Sequence, residues 1–356
     1  MIKYLGSKRR LVPVLGDICA AAGARTALDL FTGTTRVAQE FKRRGATVTA
    51  VDTARYSEVF AQTYVALDAD EVDYPALNEA LADLADRPGY DGYVTETFCS
   101  SSRFFQPHNG RRIDAIRDAI ERDYRDSWMY PVLLTSLIEA ADRVDSTTGV
   151  QMAYVKAWAQ RSHQDLELRV PELLPGTGRA VRGDACALAA SLGSFDIAYL
   201  DPPYNQHRYF TNYHIWETLV AWDAPEHYGV ACKRVDARAD DTKSAFNRRR
   251  RMPVALAQVI VDVDAALVVV SYNDESWVPI DDLVVMGEAR GGAVRTLSFD
   301  SRRYVGALIG IHNPNGDKVG TVSHVRNTEY VLLAGDRDLV DRVAQGVVPP
   351  DRQRCW

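Results

Sequence analysis

The sequence predicts an α/β fold in which a mainly helical insertion divides one sheet domain. Residues 26–31 and 47–51 are short, largely apolar runs with strand character, and the residues between them have helical spacing. From about residue 57 to residue 180 the periodicity is helical, without clear strands. Strand character returns at residues 195–200. The sheet-forming regions on either side of the helical segment are therefore interpreted as parts of one sheet.

The first sixty residues form a predicted βαβ unit with both strands buried. Its helix, residues 35–44, stops at a glycine, and Asp52 closes the second strand. In the helical segment the clearest pattern is residues 113–120, where apolar side chains recur at three- and four-residue spacing. We interpret Asn109 and Gly110 as the start signal of that helix.

Further strands are predicted after the helical segment, at residues 266–272, 304–311 and 329–334. Residues 233–251 are polar and charged, which is typical of a mobile loop or the start of a helix. The predicted division of the chain is a first part of the sheet domain at 1–60, a helical insertion at 61–180, the remainder of the sheet domain at 181–340 and a C-terminal tail at 341–356.

The composition is that of an ordinary globular protein. The 356 residues are 46% hydrophobic and 25% charged, enough for one large or two modest domains with a substantial core. The 42 basic and 48 acidic residues give a net charge of -6. This balance excludes a protein that coats nucleic acid nonspecifically, so any nucleic-acid contact must come from local basic patches.

The cysteines indicate a reducing compartment. There are five, an odd number without a CxxC pair, which favours reduced thiols in a cytoplasmic protein over a disulfide framework or a zinc site. The seven histidines are scattered, and no metal site is predicted. The longest apolar strand, residues 265–270, is far too short to span a membrane, so no membrane association is expected.

The most informative motif directly follows the strand of residues 195–200 and consists of Asp201, Pro202, Pro203 and Tyr204. An exocyclic amine of a nucleobase is a poor nucleophile because its lone pair is delocalised into the ring, so methylation needs acceptors that hold both amine protons. The carboxylate of Asp201 and the carbonyl of Pro202 can accept these protons. The prolines fix the local φ angles and lack a competing N–H, and Tyr204 offers a flat face on which a flipped base could stack. Two prolines after a strand are otherwise only a loop stop.

A turn after the first strand predicts one wall of a cofactor pocket. Gly33, two residues after Phe31, lets the backbone approach a ligand closely, and the following helix turns its N-terminus toward that ligand. Asp52 closes the second strand roughly 20 residues later, the usual distance for an acidic residue that binds ribose hydroxyls. Asp184 could similarly bracket an adenine amine. Each feature is also compatible with an ordinary turn.

The N-terminal residues 2–8 supply an aromatic ring at Tyr4, a flexible Gly-Ser turn and a cation at Lys8 within five positions. Such a set can close over a ligand that carries a carboxylate and an adenine ring. Lys8 taken singly is also compatible with a solvated surface charge.

Basic residues mark candidate phosphate contacts on DNA. They are Arg103, Arg111, Arg112, Lys243, Arg248 and Arg249, the last two within a run of four arginines. Aromatic residues lie among them, and these could stack against bases or pack in the core. They are Phe104, Phe105, Tyr209 and Phe210.

The order of these motifs resembles that of the Dam-like (class alpha) site-specific DNA adenine-N6 methyltransferases. A Lys-Tyr-x-Gly-x-Lys motif at residues 3–8 comes first, and an Asp-Leu-Phe-x-Gly motif at residues 29–33 follows. A helical insertion then precedes Asp-Pro-Pro-Tyr. Residues 212–214, 244–246 and 271–274 extend the similarity, which runs from about residue 2 to residue 335.

The resemblance implies a Rossmann-like, seven-stranded S-adenosylmethionine-dependent methyltransferase sheet with a helical target-recognition insertion. By motif, residues 201–204 would hold the flipped adenine and catalyse the transfer. The cofactor-binding residues would be Tyr4, Lys8, Phe31, Gly33, Asp52, Asp184 and Asp201. Two positions depart from the family pattern, because Ser7 and Thr35 stand where many relatives have glycine.

The function that the resemblance implies is transfer of the methyl group of S-adenosylmethionine to N6 of a flipped adenine in double-stranded DNA. A cognate restriction endonuclease is a further candidate partner, and the expected state is a monomer or weak dimer. Three alternatives stay open at this point. Cytosine N4 and RNA base amines fit the same acceptor motif, and an inactive DNA-binding module of a restriction system would share the fold.

Overall fold

Seven strands form one sheet at the centre of the computed structural model, which describes residues 2–6, 8–203, 208–240, 242–274, 276–302, 311–312, 318–320 and 326–347. The strands are β1 (Thr26–Asp29), β2 (Thr47–Asp52), β3 (Gly178–Arg182), β4 (Phe195–Leu200), β5 (Ala265–Asn273), β6 (Ala293–Arg302) and β7 (Arg326–Gly335). Their order is β3-β2-β1-β4-β5-β7-β6. Pairing is parallel from β3 to β5, and β7 is antiparallel to both β5 and β6. The predicted seven-stranded α/β sheet is confirmed.

The strand order reverses at β1, which pairs with β2 on one side and with β4 on the other. Ala27 lies opposite Ile197 in the second pairing, although 170 residues separate the two strands in sequence. Ligands of open α/β sheets bind at the carboxyl ends of the strands beside such a reversal. The sheet topology therefore places the site where β1, β2 and β4 end.

Helices cover both faces of the sheet. They are α1 (Val12–Ala22), α2 (Arg36–Arg43), α3 (Arg55–Ala61), α4 (Tyr74–Asp86), α5 (Pro107–Tyr124), α6 (Met129–Val144), α7 (Ala185–Leu188), α8 (Tyr209–Asn212), α9 (His214–Ala221), α10 (Met252–Asp262), α11 (Ile280–Glu288) and α12 (Arg337–Gly346). On one face α7, α10 and α11 pack, and on the other lie α1, α2, α12 and the insertion.

The central strands contribute alternate side chains to two hydrophobic cores, one on each face of the sheet. Along β4, Ile197 and Tyr199 point into the core with α1 and α2, whereas Ala198 and Leu200 point into the core with α10. Alternate side chains of a strand face opposite sides, so a strand covered on both sides is a continuous apolar run. The apolar runs identified in the sequence have this origin.

The helical insertion shares its core with the sheet domain. It runs from the end of α3 to β3 and contains α4, α5 and α6 with short π-helical and 3-10 turns between them. Leu77, Ile113 and Leu137 from these helices belong to the same buried cluster as Val48 and Tyr199 of the sheet. The insertion is thus fixed against the strands by a continuous apolar contact.

The predicted start of the helix at residues 113–120 is wrong. Helix α5 begins at Pro107, and Asn109 and Gly110 lie buried in its first turn. Proline is favoured in the first turn of a helix, where its missing N–H has no partner to lose. Gly110 is required there by packing, because a Cβ at this position would overlap Cys99 Sγ.

The edge strands β3 and β6 escaped the sequence analysis. Both carry several polar or charged side chains, which weakens the apolar pattern that identified the central strands. Strands β5 and β7 confirm the predictions at residues 266–272 and 329–334. The predicted strand at 304–311 lies outside the described residues except for its last position. The described residues of 233–251 hold a short strand and 3-10 turns, and α10 begins only at Met252. Of the two interpretations of this stretch, the structure favours the loop over the start of a helix.

The four cysteines in the described ranges are free thiols. No helix among the residues that the structure describes combines the length and apolarity needed to cross a membrane.

Asn109 connects α5 to the loop that follows the insertion helices. Its Nδ2 donates to the carbonyl of Gln164 at 2.8 Å, and its Oδ1 accepts from the backbone N–H of Leu166 at 2.9 Å. We expect Asn109→Asp to lower the free energy of unfolding by about 3 kcal/mol, because it removes a buried donor and buries a charge beside a carbonyl. Urea denaturation measures this. The same change at exposed Asn78 should cost less than about 0.5 kcal/mol, and equal losses would contradict the assignment.

Candidate active site

A cavity of about 420 Å³ lies at the carboxyl ends of the strands around the reversal point. It brings together all the predicted cofactor residues, namely Tyr4, Lys8, Phe31, Gly33, Asp52, Asp184 and Asp201. Pro203 also lines it, whereas Pro202 does not. Tyr204 lies outside the described residues. The predicted positions come from five separate parts of the chain, which only the parallel sheet places side by side.

The turn after β1 forms the floor of the cavity. Asp29 ends β1, and its Oδ2 accepts hydrogen bonds from Thr32 Oγ1 at 2.9 Å and from the backbone N–H of Ala38 at 3.2 Å. Gly33 has a left-handed backbone, with φ +50°, and a Cβ there would lie 3.1 Å from the Tyr4 ring. The sequence predicted that a ligand approaches the backbone of Gly33 closely. In this structure the side chain of Tyr4 is the group that lies close to it.

Thr35 is strained at the end of this turn. Its φ of +62° lies in the left-handed region, which is unfavourable for a β-branched residue. Thr35 is fully buried, and its Oγ1 accepts a hydrogen bond from Gln39 Nε2 at 2.9 Å. Glycine adopts this backbone conformation more easily than threonine, and the bond to Gln39 helps to hold threonine here.

Asp52 closes the cavity at the end of β2. Its Oδ2 accepts from the backbone N–H of Gly33 at 2.9 Å, and its Oδ1 from that of Ala54 at 3.0 Å. Burial raises the pKa of Asp52, and these backbone N–H groups oppose the shift. The backbone N–H of Gly183 bonds to the carbonyl of Asp52 at 2.9 Å, which places β3 beside it. The Asp184 carboxylate accepts from the backbone N–H of Cys186 at 2.9 Å and caps α7.

Two phenylalanines form an aromatic corner at this end of the cavity. The rings of Phe31 and Phe246 are 5.0 Å apart and nearly perpendicular, at 83°. Phe246 is buried in a 3-10 turn, and its backbone N–H donates to Ser244 Oγ at 3.2 Å. The site prediction omitted Phe246, although residues 244–246 contributed to the family resemblance. Only the fold shows that it meets Phe31.

The N-terminal segment crosses the cavity and is held at three points. Lys3 Nζ lies 2.9 Å from Asp142 Oδ2 and 3.3 Å from Asp145 Oδ1, at the end of α6. The Tyr4 ring stacks on Tyr213 at 4.6 Å between ring centroids. Farther along, Lys8 reaches the acceptor motif. Lys3, Tyr4 and Lys8 therefore link the insertion, the cavity and the motif after β4.

Tyr4 belongs to a tyrosine cluster, which consists of Tyr4, Tyr56, Tyr209 and Tyr213. The Tyr209 and Tyr4 ring centroids are 5.3 Å apart and the rings are nearly parallel, at 23°. The hydroxyl oxygens of Tyr4 and Tyr56 are 3.4 Å apart. Burial, the largest effect, raises the pKa of Tyr4 well above its usual value, so the cluster is neutral. Of its members, the sequence analysis assigned only Tyr4 to the site.

Asp201 and Lys8 form an ion pair in the lining of the cavity. Lys8 Nζ lies 3.2 Å from Asp201 Oδ1 and 3.4 Å from Glu329 Oε2 of β7. Burial raises the pKa of Asp201 to about 6, Lys8 lowers it, and Glu329 raises it further. Lys8 was predicted to cover the cofactor, and the structure adds that its ammonium contacts the carboxylate of Asp201, the residue predicted to be the amine acceptor.

Three carboxylates thus converge on the cavity from adjacent strands. Burial raises the pKa of Asp29 to about 7, and the nearby charges of Asp201 and Asp52 raise it further. A pocket of this kind favours a ligand with cationic centres, because each positive group would relieve repulsion among the carboxylates.

Three other basic side chains of the cavity have partners within the protein. Arg55 Nη1 lies 3.1 Å from Glu217 Oε1, and Arg182 Nε lies 3.4 Å from Glu58 Oε2. Arg208 donates to the carbonyl of Ala237 at 3.0 Å.

The six predicted DNA-contact residues are not brought together. Lys243 lines the cavity, and its ammonium lies 2.6 Å from the Asp240 carboxylate. Arg248 lies 3.6 Å from the same carboxylate, and Arg249 is exposed.

The other three predicted DNA-contact residues lie on the insertion. Arg103 donates to the carbonyl of Lys156, Arg111 pairs with Asp91, and Arg112 donates to the carbonyls of Ala85 and Arg87. Phe104 and Phe105 are core residues, whereas Tyr209 and Phe210 line the cavity.

Residues 4–286 match the family model of the D12 class N6 adenine-specific DNA methyltransferases. The chain belongs to this family. It is accordingly an adenine-specific DNA methyltransferase that uses S-adenosylmethionine, and the predicted resemblance is confirmed. The sulfonium and ammonium of this cofactor fit the three carboxylates of the cavity, and the family match favours adenine in DNA over the cytosine and RNA alternatives.

Individual relatives are modification methylases. The type II methyltransferase M.NlaIII of Neisseria lactamica is 28% identical over 348 residues, which cover 93% of this chain and 98% of the relative. The modification methylase StsI of Streptococcus sanguinis is 29% identical over 301 residues, 79% of this chain and 45% of the relative. The type II methyltransferase M.CviAII of Paramecium bursaria Chlorella virus 1 is 28% identical over 295 residues, 80% and 87% of the two chains. The chain thus spans less than half of StsI and nearly all of M.NlaIII.

The strain at Thr35 gives a stability prediction. We expect Thr35→Gly to be more stable than Thr35→Ala by about 1 kcal/mol, because both lose the hydroxyl and only glycine relieves the left-handed backbone. Guanidinium unfolding of the two variants measures the difference. At Thr135, inside α6, the order should reverse, since glycine is worse than alanine in a helix by about 1 kcal/mol. A Thr35→Ala variant that is more stable than Thr35→Gly would contradict the prediction.

Proposed function

We propose that this protein is a site-specific methyltransferase that modifies N6 of an adenine flipped out of double-stranded DNA. The observation that carries the proposal is the position of Asp201. Its carboxylate, held by Lys8 at 3.2 Å, opens onto the same cavity as Asp52, Gly33 and Phe31. A methyl donor and an amine acceptor can therefore meet across one small space.

The acceptor half works through hydrogen bonds. An ionised Asp201 accepts a hydrogen bond from one amine N–H and the Pro202 carbonyl accepts one from the other, so that the nitrogen can become pyramidal and expose its lone pair. Pro202 and Pro203 have no N–H that would compete for these oxygens. Tyr204 is assigned to stack on the flipped base, as predicted from the sequence. The charges of Lys8 and Glu329 have opposite effects on the pKa of Asp201 and so influence its ionisation.

The donor half holds the cofactor along the strand ends. S-adenosylmethionine, when bound, supplies an electrophilic methyl group on its sulfonium. Asp52 would accept the ribose hydroxyls, and Asp184 would accept the adenine amine. Phe31 and Phe246 would enclose the adenine ring. Tyr4, packed on Gly33, would cover the cofactor, and Asp29 would favour its cationic end.

The insertion is assigned to target recognition. Its α6 end holds Lys3, and its residue Gln151 accepts from the backbone N–H of Ile215 at 2.8 Å, after the acceptor motif. Contacts to a DNA site are thereby coupled to the catalytic motif. The predicted phosphate-contact residues Lys243, Arg248 and Arg249 precede α10, and Arg103, Arg111 and Arg112 belong to the insertion. The relatives named modification methylases favour a partnership with a restriction endonuclease.

The catalytic assignment predicts the behaviour of Asp201→Asn. Methyl transfer to duplex DNA should fall at least 100-fold, because the amide cannot replace an ionised acceptor. S-adenosylhomocysteine should still bind, as measured by calorimetry. Exposed Asp126→Asn is the matched control and should be fully active. Undiminished transfer by Asp201→Asn would contradict the mechanism, and a wild type that binds cofactor without transferring methyl would indicate an inactive module.

The ion pair predicts a pH dependence. Activity should fall tenfold per pH unit below about pH 6, because protonated Asp201 no longer accepts the amine proton. Lys8→Gln should move this acidic limb to higher pH, since the cation lowers the Asp201 pKa. Glu329→Gln should move it to lower pH. The pH profile of kcat/KM for S-adenosylmethionine, which reports ionisation of the unliganded enzyme, measures both shifts. A limb that neither variant moves would contradict the assignment to Asp201.

A further inference from the structure

Arg36 is a cavity residue that the proposed mechanism does not use. It is the first residue of α2 and lines the cavity directly after the turn that contains Gly33 and Thr35. Its Nε is buried and has no hydrogen-bond partner. Within the described part of the chain, no carboxylate oxygen lies within 4.0 Å of its guanidinium. An unpaired guanidinium in a partly closed cavity is unfavourable unless a ligand supplies the missing anion.

The charges around Arg36 strengthen this argument. Burial lowers the pKa of Arg36, and the nearby guanidinium of Arg9 lowers it further. Glu139 and Tyr64 raise the pKa of Arg36, but their effects are smaller than those of burial and Arg9. The Tyr64 hydroxyl also donates a hydrogen bond to Glu139 at 2.5 Å. A second cation beside a half-buried arginine adds repulsion, which an anion at Arg36 would relieve.

Arg36 differs in this respect from the other basic residues of the cavity. Lys8, Arg55, Arg182 and Lys243 each have a carboxylate partner, and Arg208 donates to a backbone carbonyl. The acidic residues that line the cavity are Asp29, Asp52, Asp184, Asp201 and Glu217, and the last of these pairs with Arg55. Among the described residues, Arg36 is therefore the cation that the protein leaves for a ligand.

The cofactor has one group of the matching charge. S-adenosylmethionine carries a sulfonium, an ammonium and a single carboxylate. The carboxylates of the cavity suit the two cations, and they would repel the anion. A guanidinium binds a carboxylate through two parallel N–H donors, which gives both charge neutralisation and a fixed orientation. Asp52 and Asp184 are assigned to the ribose and adenine of the cofactor. The methionine portion would then extend toward the turn after β1, where Arg36 lies.

We propose that Arg36 binds the α-carboxylate of the methionine portion of S-adenosylmethionine. The inference rests on the proposed function, since it takes the cavity as the cofactor site. It makes Arg36 a residue that selects carboxylate-bearing donors, in addition to the predicted cofactor residues.

The test uses two ligands that differ only in this carboxylate, S-adenosylmethionine and decarboxylated S-adenosylmethionine. Calorimetry with Arg36→Met should show a 10- to 100-fold loss of affinity for the first, the range of one charge-assisted contact. Affinity for the decarboxylated ligand should stay within about twofold. Arg36→Lys, which keeps the charge without the fork, should lose less than Arg36→Met. Arg43→Ala, on the exposed side of α2, is the control and should bind both ligands as the wild type does.

A second measurement separates binding from folding. Without ligand, Arg36→Met should unfold at the same temperature as the wild type or higher, because it removes an unpaired, partly buried charge. A marked fall in that temperature, or an equal loss of affinity for both ligands, would overturn the proposal in favour of a structural role. Unchanged affinity for S-adenosylmethionine with weakened DNA binding would overturn it in favour of a phosphate contact. A wild type that binds neither ligand would instead contradict the proposed function.

Discussion

The parallel pairing of β1 with β4 is the constraint on which the site depends. It joins strands that 170 residues separate, and the Asp196 carboxylate reinforces it by accepting from the backbone N–H groups of Arg25 and Thr26 at 2.8 and 2.9 Å. The pairing places Asp29 at the end of one strand beside Asp201 after the other. Because β2 lies on the far side of β1, Asp52 joins the same edge. Donor and acceptor groups become neighbours only through this strand order.

The N-terminal segment depends on that arrangement and in turn stabilises it. Lys3 binds the end of the insertion, Tyr4 packs on Gly33, and Lys8 lies between Asp201 and Glu329. One short segment thus contacts the region assigned to DNA recognition, the cofactor cavity and the acceptor carboxylate. This provides a physical route by which target binding can influence the chemistry.

The electrostatics of the cavity are asymmetric. Three partly or fully buried carboxylates favour a cationic ligand, and Lys8 keeps the pKa of Asp201 near 6 against burial and Glu329. Arg36 is the exception at the turn after β1. A ligand with two cationic groups and one carboxylate complements this distribution better than a purely cationic one would.

The sequence by itself determined the central strands, the motif residues and the family, because these depend on local patterns. Apolar runs marked β1, β2, β4, β5 and β7, and residues 29–33 and 201–204 carry their chemistry in their identities. The start of α5 had a local signal, the proline in its first turn, which the interpretation of Asn109 and Gly110 missed. The edge strands and the proximity of Phe246 to Phe31 could not be predicted. Each depends on which segments pack together, and polar edge strands or a lone aromatic carry no local signal of that.

Tertiary structure likewise decided which partner each charged group has. The local sequence does not distinguish Lys8 from Arg36 as a charge with or without a partner. Lys8 contacts two carboxylates, whereas no carboxylate of the described residues lies within 4.0 Å of the Arg36 guanidinium. The sequence shows which residues are charged. Which of them form ion pairs depends on the distant segments that the fold brings together in a largely buried site.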